Sequence, residues 1–284
     1  MSKVQNKNSD FPVPPEGIGH VLRHLPSTDS TNRVAREWVA GAAGAAGGAG
    51  AGATRATLAA MVTGAPDGAV VLADTQEAGR GRLGRTWTSS PGQNLLFTVI
   101  LKNREPLISN HEARGVLPLA TSLAVADTIQ SFIANGSVQI KWPNDVQVDG
   151  KKCAGILVES VADEAFLIGI GLNVNESDFS DDLVETATSL LLQDGRRKDR
   201  KAVYLHLVNA LNKWLPRVFK DPKSILDVYI QRLAGIGNPV TLRTPQAQIH
   251  GTLVGIHDDG GLIVKSDGLS KVYYAGDVSL NQLD

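Results

Sequence analysis

The chain has 284 residues, of which 42% are apolar and 20% charged, so a sizeable core is expected and wholesale disorder is excluded. Its formal net charge of -1 provides no basic excess for nucleic acid or for an anionic membrane surface. A lone cysteine, Cys153, excludes an internal disulfide, and no apolar leader or run of 18 apolar residues occurs, which together predict a cytoplasmic protein without a membrane span.

The first 53 residues contain two segments without a core-forming pattern. Residues 1–19 are polar and rich in proline and glycine, which predicts a flexible tail. Residues 40–53 consist only of alanine and glycine. Because the glycines disfavour a helix and no bulky apolar side chain can anchor the segment, we predict a flexible surface insertion there.

Helices and antiparallel strands follow without strict alternation. Buried strands are predicted at 69–74 and 94–101, a helix at 116–133, and a four-stranded meander over 138–171. An apolar stripe predicts a second long helix over 203–218, and Pro222 begins a shorter one. After Gly235, short strands with turn residues between them predict a small antiparallel barrel. The pattern predicts an α+β fold with one domain at 20–235 and another at 236–284.

The sequence GRGRLGRTW at 79–87 carries the strongest chemical signal. It contains the GxGxxG spacing of a dinucleotide-binding loop, but no helix pattern follows it, so that interpretation fails. Alternating glycines and arginines instead predict a loop whose backbone approaches an anion and whose guanidinium groups bind carboxylate or phosphate. Trp87 would offer a flat face for a purine or a cation. The alternative is a solvated basic hairpin with the tryptophan in the core.

Three further motifs gather polar side chains at the ends of predicted elements. KWPNDV at 141–146 places a lysine before a Pro-Asn-Asp turn, which is also common as an ordinary β-turn. KKCAGILVE at 151–159 places Lys152 at the entrance of a buried strand, either as a solvated hairpin charge or as an anion-binding group. No histidine is placed to activate Cys153, so a cysteine nucleophile is rejected. In GIGLNVN at 169–175, glycines within a strand often mark the close approach of a ligand.

The early segment STDSTN at 27–32 has two interpretations. Its serine, threonine and asparagine residues can cap the helix that follows, or they can offer hydrogen bonds to a ligand.

These motifs, in this order over residues 21–284, resemble the biotin protein ligase family. The resemblance implies a catalytic domain like that of class II aminoacyl-tRNA synthetases and an SH3-like β-barrel C-terminal domain. It also implies that ATP and biotin, with Mg²⁺, yield biotinyl-5′-AMP, from which biotin passes to a lysine of a biotin carboxyl carrier domain.

Residue roles follow from the resemblance by matching position. Biotin-binding residues are implied at Ser30, Thr31, Asn32, Gln76, Arg80, Gly81, Arg82, Lys152, Gly155 and Gly169. ATP and adenylate contacts are implied at Arg80, Arg82, Arg85, Trp87, Lys141, Asn144, Asp145, Lys152 and Asn173. Lys152 and Arg82 are predicted to be catalytic, and no metal ligand is assigned.

Two departures from the family pattern affect the expected function. Fewer than thirty residues precede the STN motif, too few for the DNA-binding domain that some members carry, so no nucleic-acid partner is expected. Leu83 stands where the best-known pattern has another arginine. The alternatives are a lipoate-protein ligase and a non-catalytic regulator that binds biotinyl-AMP. A monomer or weak homodimer is expected.

Overall fold

A computed structural model describes residues 9–41, 64–102, 110–161 and 164–280 of the chain. The predicted insertion at 40–53 falls almost wholly outside this range, and so does the first part of the predicted tail. Within the described ranges no helix has both the length and the apolar character needed to cross a bilayer.

The larger sheet contains β1 (Leu22–Leu25), β2 (Val70–Ala73), β5 (Leu95–Lys102), β6 (Val138–Lys141), β7 (Asp145–Val148), β8 (Lys151–Val161) and β9 (Ala165–Leu172), and the intervening β3 (Gly79–Arg80) and β4 (Thr86–Trp87) form a separate hairpin. Its seven strands lie in the order β1-β2-β5-β9-β8-β7-β6. Only β1 and β2 pair in parallel, and the other neighbours are antiparallel. The meander predicted over 138–171 is therefore confirmed as β6 to β9.

Helices cover both faces of this sheet. They are α1 (Thr31–Val39), α2 (His111–Phe132), α3 (Leu190–Asp194), α4 (Arg200–Trp214), α5 (Arg217–Lys220) and α6 (Pro222–Arg232). Successive side chains of a strand point to opposite faces. Accordingly Val70 and Leu72 join the large core with α2, α4 and α6, whereas Val71 packs with α1. Since α1 is short, it covers only part of its face and leaves the rest to the site described below.

The smaller sheet contains five antiparallel strands in the order β13-β12-β11-β10-β14. They are β10 (Pro239–Arg243), β11 (Gln248–Ile256), β12 (Leu262–Ser266), β13 (Leu269–Tyr273) and β14 (Asp277–Leu280). The turn between β11 and β12 packs against α2 so closely that a Cβ on Gly115 would lie 1.8 Å from the carbonyl oxygen of Asp259. The Trp142 Nε1 donates to the Gly260 carbonyl at 3.0 Å, which ties this sheet to the larger one.

Two predicted segments differ in detail. Residues 9–19 are not a loose tail, since Phe11 and Ile18 are buried in the large core and the Ile18 amide donates to Asn212 Oδ1 at 2.8 Å. The helix predicted over 203–218 ends at Trp214, because Pro216 cannot donate the backbone bond that a continuing helix requires.

Candidate active site

A cavity of about 720 Å³ opens on the sheet face that α1 leaves uncovered. All site residues predicted from the sequence line it: Ser30, Thr31, Asn32, Gln76, Arg80, Gly81, Arg82, Arg85, Trp87, Lys141, Asn144, Asp145, Lys152, Gly155, Gly169 and Asn173. The structure thus brings together residues that are separated by more than a hundred positions in the chain. Their individual roles in binding stay predictions.

Glycines on two adjacent strands make the floor of the cavity. Gly155 on β8 lies opposite Gly171 on β9, and a Cβ at either position would come within 2.9 or 2.5 Å of the Trp87 ring. Two residues along β9, a Cβ on Gly169 would lie 2.4 Å from Asn32 Oδ1. The absence of side chains at these positions lets Trp87 and Asn32 lie directly on the sheet.

The roof over this floor is the short hairpin that carries the glycine- and arginine-rich motif. Its strands β3 (Gly79–Arg80) and β4 (Thr86–Trp87) pair, with a 3₁₀ turn at Arg82–Gly84 between them. Leu83, the residue that departs from the family pattern, has a φ of 56° and a side chain 65% exposed. Left-handed backbone is unfavourable for leucine, so the turn holds a strained residue at its tip.

The N-terminus of α1 forms one end of the cavity. Ser30 occupies the N-cap position, and Gln76 Oε1 accepts from the amide of Thr31 at 2.8 Å and from its hydroxyl at 3.0 Å. Ser30 begins the helix but makes no side-chain hydrogen bond to its first turn, so capping by its side chain is not observed. Hydrogen bonding of these residues to a ligand stays a prediction.

Positive charge gathers at the other end of the cavity. Lys152 Nζ lies 2.8 Å from Asp145 Oδ1 and 5.5 Å from the centroid of the Trp87 ring. Arg82 donates to Asn144 Oδ1 at 3.1 Å, and burial lowers the pKa of this arginine. A lysine and an arginine beside an aromatic face offer a place for an anionic group next to a planar ring.

Cys153 and Asn173 lie beneath this cationic end. The thiol is fully buried, and burial raises its pKa to about 12, so the rejection of a cysteine nucleophile agrees with the structure. Asn173 is 4% exposed and donates to the Thr188 carbonyl at 3.0 Å. This bond holds the end of β9 against the segment that follows the sheet.

The small C-terminal sheet contributes a carboxylate that the sequence analysis did not identify. Asp277, the first residue of β14, accepts from Arg85 at 2.5 Å and lies 3.0 Å from Lys141 Nζ. Burial opposes ionisation of this carboxyl, but the hydrogen bonds from Arg85 and Lys141 outweigh that effect and lower its pKa. In the sequence, the acidic residue directly after Gly276 could have indicated this contact.

Replacing Asp277 with asparagine tests whether this contact holds the roof in place. We expect a KM for ATP raised by about two- to fivefold, because Arg85 and Lys141 lose a common partner at a part-exposed position. The stabilising contribution of Asp277 should be fully present at neutral pH and decline as the pH falls below 3.8 through the lowered folded-state pKa. Unfolding free energies of the two proteins measured against pH should therefore converge in acid; a difference that stays constant down to acid pH would contradict the ion-pair role.

Segments from both sheets match known protein families. Residues 54–175 match the Biotin/lipoate A/B protein ligase family, and residues 235–281 match the Biotin protein ligase C terminal domain. A solved structure with a similar fold is the biotin protein ligase from Aquifex aeolicus in complex with biotin and ATP. The TM-score is 0.74 at 27% sequence identity, and the match covers 92% of this chain and 98% of that one.

Curated relatives show the same likeness in sequence. The chain is 34% identical over 225 residues to the biotin–acetyl-CoA-carboxylase ligase of Mycobacterium tuberculosis, a match that covers 78% of this chain and 82% of that protein. It is 36% identical over 224 residues to the bifunctional ligase/repressor BirA of Bacillus subtilis, covering 74% of this chain and 66% of that protein. The chain thus spans slightly less than two thirds of the length of such bifunctional relatives.

Proposed function

Because the chain belongs to the biotin/lipoate A/B protein ligase family, we propose that it is an ATP-dependent biotin protein ligase. It activates biotin as biotinyl-5′-AMP with release of pyrophosphate, and then transfers the biotinyl group to a lysine of a carrier domain. The observation that carries this proposal is one cavity with a hydrogen-bonding end at Ser30 to Asn32 and a cationic, aromatic end at Lys152 and Trp87.

The first step brings two anions together. A biotin carboxylate attacks the α-phosphorus of ATP, an oxygen–phosphorus bond forms, and pyrophosphate leaves. Lys152 and Arg82 lie where they would offset this repulsion and stabilise the charge that develops on phosphate. Trp87 supports the base of the nucleotide, with its ring resting on the glycine floor.

The second step requires an uncharged lysine amine of the carrier to attack the acyl carbon, so that AMP leaves. Positioning of the mixed anhydride supplies most of the rate gain in such a reaction. The roof hairpin covers the adenylate and excludes water, which would otherwise hydrolyse it. Its contact with Asp277 gives the small C-terminal sheet a part in holding that cover.

Mg²⁺ belongs to the proposal as a companion of ATP. Within the described ranges, no group of three or more His, Cys, Asp or Glu side chains is arranged to hold a metal ion. Mg²⁺ bound with nucleotides is commonly held by substrate phosphates and one or two carboxylates, and Asp145 and Asp277 line the cavity. Both carboxylates are paired with cations in the structure, Asp145 with Lys152 and Asp277 with Arg85 and Lys141. They therefore fit an ion held chiefly by the ATP phosphates, which would offset phosphate charge when bound.

Neither alternative function is favoured. The match over residues 235–281 is to the C-terminal domain of biotin protein ligases specifically, which favours biotin over lipoate. A relative that is 34% identical, of which the match covers 82%, is named a ligase, which supports catalysis over a purely regulatory role.

Replacing Arg82 with alanine should loosen the roof over the adenylate. Its bond to Asn144 and its buried charge would be lost, so we expect biotinyl-AMP to dissociate about tenfold faster while adenylate formation is less affected. Separate measurement of pyrophosphate and of free biotinyl-AMP in the medium checks this. Free biotinyl-AMP should rise relative to pyrophosphate. Slower pyrophosphate release without a rise in free biotinyl-AMP would show that Arg82 does not act as a cover.

Labelled biotin, ATP and a biotin carboxyl carrier domain provide the direct test of the function. The protein should transfer label to one lysine of the carrier, and omission of ATP should abolish the transfer. Transfer of labelled lipoate instead of biotin would support the alternative ligase.

Which carrier is modified, the cytoplasmic location and the monomeric or weakly dimeric state stay predictions. So does the absence of a nucleic-acid partner.

A further inference from the structure

The side chain of Asn32 is held from both ends beneath the cavity. Its Nδ2 donates to Glu159 Oε2 at 2.7 Å, and its Oδ1 accepts from Thr98 Oγ1 at 2.6 Å. Asn32 is 6% exposed and Thr98 is fully buried. If the amide turned over, its oxygen would face the Glu159 carboxylate and the hydrogen bond to Glu159 would be lost.

The chemistry of the two partners fixes which end of the amide faces which way. An ionised carboxylate only accepts hydrogen bonds, so Glu159 requires the NH₂ group of Asn32. The amide oxygen also only accepts, so the single hydroxyl proton of Thr98 must point to it. Thr31 Oγ1 lies 2.8 Å from Thr98 Oγ1 and 3.0 Å from Gln76 Oε1, and its one hydroxyl proton can be donated to only one of these two oxygens at a time.

Glu159 is itself held in place by a cation on α1. Its Oε1 lies 3.4 Å from Arg36 Nη2, and Arg36 Nη1 also reaches the Ser160 carbonyl at 3.4 Å. On β8, Glu159 lies on the same face of the sheet as Gly155, because residues four apart in a strand share a face. It lies on the cavity side of the sheet but does not line the cavity, so it can affect a ligand there only through Asn32.

Asn32 retains hydrogen-bonding capacity toward the cavity that it lines. Each end of the amide uses one bond in the network, which leaves one N–H and one lone pair. A urea ring has one carbonyl acceptor and two N–H donors. If its carbonyl accepts from the remaining N–H of Asn32, a reversed amide would place oxygen against oxygen and lose that bond. Sites built to bond a polar group reject ligands that lack it far better than apolar pockets do.

We propose that Glu159 and Thr98 are positioning residues that fix the Asn32 amide for the urea ring of biotin and thereby contribute to selection of this acid. The inference rests on the proposed function and names the residues that determine its specificity. It differs from a contact role, since neither residue needs to touch the ligand.

Glu159→Gln keeps the shape of the side chain but lets position 159 donate as well as accept. We expect the Kd and the KM for biotin to rise by about tenfold, with the KM for ATP changed by less than about twofold. Titration calorimetry with biotin alone gives the Kd, and pyrophosphate release at saturating levels of the other substrate gives each KM.

Thr98 provides a second, independent pair of variants. Thr98→Val removes the hydroxyl and should raise the KM for biotin similarly, whereas Thr98→Ser keeps the donor and should retain biotin binding. Glu37→Gln is the matched control, because Glu37 also pairs with an arginine of α1 but contacts Arg33 rather than Asn32.

The outcomes separate the inference from the function it rests on. If wild-type protein forms no biotinyl-AMP, the proposed function fails. If wild-type protein is active but Glu159→Gln and Thr98→Val bind biotin normally, the positioning role is wrong. Equal increases in both KM values, or equal losses for Thr98→Ser and Thr98→Val, would show a structural role only.

Discussion

Adenylate formation in the Lys152→Ala variant is expected to be about 10²–10³-fold slower than in the wild type. The ammonium group lies at the cationic end of the cavity, paired with Asp145 and beside the Trp87 ring, where the α-phosphate would be placed. Its removal takes away charge stabilisation in the transition state and leaves the Asp145 carboxylate without that partner. Single-turnover pyrophosphate release with saturating biotin and ATP measures the effect.

Lys151→Ala is the matched control for this variant. Lys151 precedes Lys152 on β8, but its Nζ contacts the Val184 carbonyl at 3.2 Å, and the residue does not line the cavity. Its loss should leave the rate of adenylate formation nearly unchanged. If the two alanine variants lose activity equally, Lys152 has no special role in the reaction.

Alanine at either of two glycines on β9 should weaken the binding of one substrate more than that of the other. A Cβ on Gly169 would lie 2.4 Å from Asn32 Oδ1, and one on Gly171 would lie 2.5 Å from Trp87 Cε2. Since both contacts are too short, Gly169→Ala must displace Asn32 and Gly171→Ala must lift the Trp87 ring. We expect the KM for biotin to rise roughly ten- to hundredfold in the first variant, and the KM for ATP by a similar factor in the second.

Gly255→Ala on β11 serves as the control for these two variants, because a Cβ there meets no atom within 4 Å. It should leave both KM values and the thermal stability almost unchanged. A Gly169→Ala variant that affects ATP more than biotin would contradict the assignment of the two ends of the cavity.

Local patterns predicted much of the fold. Apolar residues at helical or alternating spacing located the meander and the helices on the large core. An element with one buried face has apolar residues at regular intervals along its sequence. The same reasoning placed the start of α2 at residue 116, whereas the helix begins at His111. Its first turn is polar and depends on Asn110, whose side chain accepts from the amides of Glu112 and Ala113.

Residues of the site could be predicted where a short motif contains an unusual combination of residue types. They could not be predicted where the fold brings single residues from distant parts of the chain. Glycines and arginines over 79–87 indicated an anion-binding loop because few structural roles need that combination. Asp277 reaches the cavity from the other sheet, and Thr98 looks like one polar position in an apolar strand. Only the three-dimensional contacts show that Thr98 and Glu159 form hydrogen bonds with Asn32.

The most direct test of the central claim omits the carrier. The protein is incubated with biotin and ATP, and both the released products and the intact protein are analysed by mass spectrometry. We expect pyrophosphate and biotinyl-5′-AMP held non-covalently, with the mass of the denatured protein unchanged. Absence of the adenylate, or a biotinyl group attached covalently to the protein as the reaction intermediate, would contradict this account.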